Sequence, residues 1–146
     1  MNNLEKAKKI LEENRLTFVL LKDHNIVYTS CKKGIIPFLE VIQKDNRIME
    51  HGVIADRVIG KAAALLAAGY HVRELYAGVI SQQARTVLDS CSVQYQFKEC
   101  VGYIQNRDKS DQCPMEKLTQ DINDYHVAYH KILQYYKEVL EIDLTS

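Results

Sequence analysis

Residues 53–81, VIADRVIGKAAALLAAGYHVRELYAGVIS, decide the fold. Val53-Ile54-Ala55 is a short, continuous apolar run that predicts a buried strand, and it leads into a helix from about Arg57 to Ala68 with Gly69 at the expected C-cap. Leu75 to Ile80 repeats the pattern as a second buried strand. Ser81 is a good N-cap for the helix that follows, in which Ala84, Val87 and Leu88 mark an inner face up to about Ser90. Two consecutive strand–helix units imply a parallel region with helices on both faces.

Working outward, Val93, Tyr95 and Phe97 alternate with Gln94, Gln96 and Lys98, as a half-exposed strand at a sheet edge does. Upstream, Thr17 to Leu21 and Ile26 to Thr29 are β-rich runs joined by Lys22-Asp23-His24-Asn25, which predicts a hairpin. The spacing of Leu4, Ala7, Ile10 and Leu11 predicts an amphipathic helix from about Asn3, as cap, to Asn14. Pro37 fits the first turn of a helix running to about Lys44. Near the end, Cys113 precedes Pro114 as the N-cap of a further helix. The last helix, about 124–142, repeats Tyr125, Ala128, Tyr129, Ile132, Leu133, Tyr136, Val139 and Leu140 at helical spacing. It must pack on the sheet or on a second subunit, as in a homodimer.

Several classes are excluded by composition. With 146 residues, 47% of them hydrophobic, six Gly and two Pro, the chain has the make-up of one folded domain rather than a disordered segment. Nineteen basic residues balance nineteen acidic ones, so no global field gathers nucleic acid or anionic lipid. The longest apolar run, Ala62 to Gly69, is less than half of the ~20 residues of a membrane span, and the first residues lack a signal-peptide pattern. The expected location is therefore the cytoplasm. There Cys31, Cys91, Cys100 and Cys113 are expected as thiols, and none forms a CxxC pair.

The candidate functional residues follow from this layout. Ala55 to Ala62, ADRVIGKA, approaches the phosphate loop GxxxxGK[ST], but Ala55 replaces the first glycine and Ala62 the magnesium-binding hydroxyl, so triphosphate chemistry does not carry over. Asp56 and Arg57 are expected where a strand ends and a helix begins, the place of ligand sites in open α/β sheets, although an Asp there is equally a helix cap. Cys113 at a helix start is a candidate thiolate nucleophile. His126 and His130 have metal-compatible spacing, but without a third ligand they are better explained as a solvated helix flank.

Val53 to Leu66 (VIADRVIGKAAALL), Leu75 to Ser81 (LYAGVIS), Asn106 to Asp108 (NRD) and Cys113 to Glu116 (CPME) together resemble the domain of unknown function 1893 family over about residues 4–122, with the last helix outside it or an extension. The resemblance implies a cytidine deaminase-like, three-layer αβα sandwich with a mixed sheet of about five strands. It does not imply deamination. Zinc deaminases place H-x-E and P-C-x-x-C at two strand–helix junctions, and neither Ala55-Asp56-Arg57 nor Gly78-Val79-Ile80-Ser81-Gln82 contains His, Cys or Glu. No metal and no cofactor are therefore expected.

The function that fits these residues is binding of a small nucleoside-like or anionic ligand by Asp56, Arg57, Lys61, Ser81, Asn106, Arg107 and Asp108. A thiol-dependent enzyme is the alternative, with Cys113 as nucleophile, Asn106 or Asp108 orienting it and Asp56 or a distant histidine as base. A non-catalytic assembly or regulatory module, using the tyrosine-rich last helix, is the third.

Overall fold

The structure is a computed structural model in which residues 2–105 and 112–138 are described. Its first helix, α1 (Asn3–Glu13), is capped one residue earlier than expected, by Asn2, whose side-chain oxygen accepts from the Glu5 amide at 2.8 Å. A hairpin of β1 (Phe18–Lys22) and β2 (Asn25–Ser30) follows. It turns on Asp23 and His24, both at positive φ, which are the two left-handed residues that a tight hairpin turn needs. Next come α2 (Ile36–Lys44), β3 (Val53–Ile59), α3 (Lys61–Gly69), β4 (Glu74–Ser81), α4 (Gln82–Asp89), β5 (Gln94–Val101), α5 (Pro114–Leu118) and α6 (Tyr125–Glu138).

The five strands form one mixed sheet in the order β2-β1-β3-β4-β5. β1 pairs antiparallel with β2 and β3, while β3–β4 and β4–β5 are parallel, as the two strand–helix units require. Alternation along β1 divides the core. Val19 and Leu21 join Leu4, Ala7 and Leu11 of α1 on one face, whereas Phe18 and Leu20 join α2 and α3 on the other. Helices thus cover both faces, but unequally, since among the described helices α1 alone covers one side. On the crowded side α3 is buried over its whole circumference from Lys61 to Ala67, so its small side chains let it approach the sheet, α4 and α6 together.

Two sequence expectations change here. The strand expected over 53–55 continues to Ile59, so the helix begins at Lys61 and not at Arg57. Ile54 and Ile59 both face the large core although five residues separate them, so alternation slips once between them. β4 slips in step, with Ala77 and Ile80 both in that core. The strands come very close at the slip: a Cβ on Gly78 would lie 2.7 Å from the Arg57 carbonyl oxygen. Gly69, expected as a C-cap, is the last helical residue instead, and Tyr70 is the cap.

Gly69 has a steric role. A methyl there would overlap the Tyr125 ring, so the missing side chain lets the start of α6 lie on the end of α3. Ala128 and Ile132 are fully buried and Tyr136 nearly so, which places α6 in the core of its own chain. Gly69→Ala should therefore destabilise the protein by about 1–3 kcal/mol, as overpacking does. Urea unfolding checks this, and a second substitution, Tyr125→Ala, should recover part of the loss; an unchanged midpoint for the single variant would detach α6 from the core.

Candidate functional site

The amino ends of α3 and α4 lie at the carboxyl ends of β3 and β4. Ser81 caps α4 as expected, its hydroxyl accepting from the Ala84 amide at 3.1 Å, and it is fully buried. α3 starts at Gly60, which has no side chain to cap its first amides.

The Asp56-Arg57 pair does not stand at this helix start. Arg57 points toward α1, where its guanidinium donates to the carbonyls of Leu11 (3.0 Å) and Leu16 (2.6 Å) and so closes the carboxyl end of that helix. Asp56 is paired with Phe18 and Ala77 across the sheet and shares their face, inside the large core. Its carboxyl accepts from the Val58 amide at 3.2 Å. Burial pushes its pKa up to about 8, against the lowering effect of the Val58 and Arg57 amides and the Arg57 charge.

Lys61 is buried, and its ammonium donates to the Gln120 carbonyl at 2.9 Å. Cys113 does occupy the N-cap position before Pro114, but α5 is one short turn and the cysteine makes no side-chain cap. Its backbone amide donates to the Ile104 carbonyl at 2.6 Å. Among the described residues no imidazole or carboxylate hydrogen-bonds its thiol; Tyr136 lies close enough for burial and the cysteine together to push its phenol up to about 12. Asn106, Arg107 and Asp108 lie outside the described residues.

One buried residue beside the start of α3 is not marked out by its sequence. Glu116, in α5, is 1% exposed, and neither of its carboxyl oxygens has a hydrogen-bond partner. It lies against the start of α3: a Cβ on Gly60 would be 2.7 Å from Glu116 Oε1 and 3.3 Å from Ile104 Cγ1. Glycine at position 60 therefore makes the space that this carboxyl occupies. A buried acid with no partner is costly to keep; the other fully buried polar groups, Asp56, Lys61, Ser81 and Thr119, are hydrogen-bonded, while the amide oxygens of the half-buried Asn3 and Gln83 are unpartnered as well.

The family model for the domain of unknown function DUF1893 matches residues 6–136, including most of α6. The chain belongs to this family. The crystal structure of a DUF1893 family protein, TM1506 of Thermotoga maritima, superposes with a TM-score of 0.84 at 24% identity, covering 91% of this chain and 89% of that one. This likeness shows the fold, a five-stranded mixed sheet flanked by helices. No curated protein matches the chain.

The zinc centre of the deaminases does not fit the junctions as the structure defines them. Gly60-Lys61-Ala62-Ala63 and Ser81-Gln82-Gln83-Ala84 offer neither imidazole nor thiol, the ligands on which a tetrahedral zinc site is built. Among the described residues no group of three or more His, Cys, Asp or Glu side chains could hold a metal ion, and no helix is long and apolar enough to cross a membrane. A groove of about 630 Å³ opens at the other end of the parallel strands, lined by His51, His71, Arg73, Glu74, Cys91 and neighbouring residues. It is open, and the buried polar side chains are not in it.

Asp56 gives the core a pH signature. Its folded pKa, about 8, is above the unfolded value of 3.8, so its contribution to stability is complete below about pH 4 and is lost as pH rises through 8. Asp56→Asn should abolish a slope approaching ~1.4 kcal/mol per pH unit between pH 5 and 8. Urea unfolding at a series of pH values checks this; a slope unchanged by the substitution would show that Asp56 is ionised in the folded protein.

Proposed function

We propose that this protein binds a small molecule at the carboxyl ends of β3 and β4, between the first turns of α3 and α4. The unpartnered, buried Glu116 carboxyl beside Gly60 carries this proposal, because a fold that keeps such a group unsatisfied is explained most simply by a partner from outside the chain. The place agrees with the general rule for open α/β sheets, whose ligands lie beyond the carboxyl ends of the parallel strands.

Binding at this position is supported for some of the residues named from sequence more than for others. Ser81 lies at the site, and Lys61 borders it with its ammonium already engaged. Arg57 serves α1, and Asp56 supports the strand from within the core. Among the described residues the two cations named from sequence, Arg57 and Lys61, are hydrogen-bonded within the chain, which favours a nucleoside-like ligand over an anionic one.

A thermal-shift series of nucleosides, nucleotides, sugar phosphates and inorganic phosphate tests the proposal. A ligand present at many times its dissociation constant should raise the midpoint by several degrees. Gly60→Ala, whose methyl displaces the Glu116 carboxyl, should remove that rise, while His71→Ala in the distant groove should leave it. No rise with any compound, or a rise lost only in the His71 variant, would refute the placement.

A further inference from the structure

The site proposed above contains a second piece of information, the kind of atom that Glu116 awaits. A carboxyl with two free oxygens in one plane is matched by a pair of parallel N–H donors, and the two-pronged arrangement is both stronger and more selective than a single bond. Among the described residues the chain supplies no such pair. Lys61 is committed to the Gln120 carbonyl, Arg57 to the carbonyls of Leu11 and Leu16, and both Glu116 oxygens remain unpartnered.

The surroundings narrow the class further. A negative group is favoured at a helix start, and here the protein's own carboxyl already lies at the start of the nine-residue α3. A phosphate or carboxylate ligand would meet that group rather than bare amides. The Ile104 side chain packs beside Gly60 next to the carboxyl, so the surroundings of that group are in part apolar, which suits a planar ring better than a hydrated ion.

We infer that Glu116 is a specificity-determining residue that receives two parallel N–H donors from the edge of a planar ligand, an amidine or a 2-amino lactam of the kind guanine presents. This rests on the binding site proposed above, and it excludes anions as the preferred ligands of that site.

Calorimetric titration of matched probes tests it. Guanosine is compared with inosine, which lacks the 2-amino group, and benzamidine with benzamide, which lacks the second nitrogen. In at least one pair the two-donor probe should bind about tenfold tighter or better, the discrimination expected of a two-pronged contact. Glu116→Gln, shown to be folded by circular dichroism, should bring both members of that pair to similar affinity, since an amide offers one acceptor in place of two. Equal binding within both pairs, or a preference that survives in the glutamine variant, would overturn the inference. Should inorganic phosphate or a sugar phosphate bind in a Gly60-dependent way while the matched probes do not differ, the site stands and the donor-pair inference falls. Should nothing bind, both fall.

Discussion

The close approach of β3 and β4 at Arg57 and Gly78 is the constraint on which the rest of the molecule depends. Because Gly78 has no side chain, the two strands slip their alternation together, and Ile59 and Ile80 both return to the large core. That slip extends β3 to the position from which Gly60 starts α3 and β4 to the position from which Ser81 starts α4. Without it the inward faces of both strands would be one residue out of step, and a hydrophobic set would turn away from the helices.

Regular alternation ahead of the slip gives Asp56 and Arg57 opposite tasks. Successive residues of a strand point to opposite faces, so Arg57 reaches α1 while Asp56 enters the core under the crowded helical layer. Asp56 is buried, and Arg57, though exposed, spends two of its donors on the carboxyl end of α1. Asp56, neutral below about pH 8, is tolerated in the core as a hydrogen-bonded acid, whereas an ionised carboxylate there would have to be desolvated. Glu116 is different in kind, because the chain brings it to a helix start, makes room for it with a glycine and provides no donor.

Much of this was legible in the residues. The hairpin, both strand–helix units, the edge strand and the Ser81 cap follow from periodicity and turn chemistry, and CPME together with VIADRVIGKAAALL pointed to the DUF1893 family that the family model shows. What misled was local ambiguity. Asp56 is a good cap residue followed by apolar spacing, so it reads as a helix start, while the true start at Gly60 has no capping side chain to announce it. Gly69 at a helix end reads as a C-cap, and only the packed structure shows that it yields to the Tyr125 ring. Glu116 follows Pro114 and Met115 in a helix too short for periodicity to reveal which face is inward, and an acid in a first turn has an ordinary explanation in the helix dipole. Its signal lay in the CPME motif itself, whose fourth residue is the buried acid.

The central claim is that the fold holds Glu116 for a ligand and not for its own stability. The unfolding free energy of the ligand-free protein, wild type against Glu116→Gln, measures this most directly. If no group of the protein depends on the carboxyl, the glutamine variant will be as stable as the wild type or more stable. A loss of about 2 kcal/mol or more, the size of a broken hydrogen bond to a charged group, would mean that Glu116 has a structural partner and that the site is part of the scaffold.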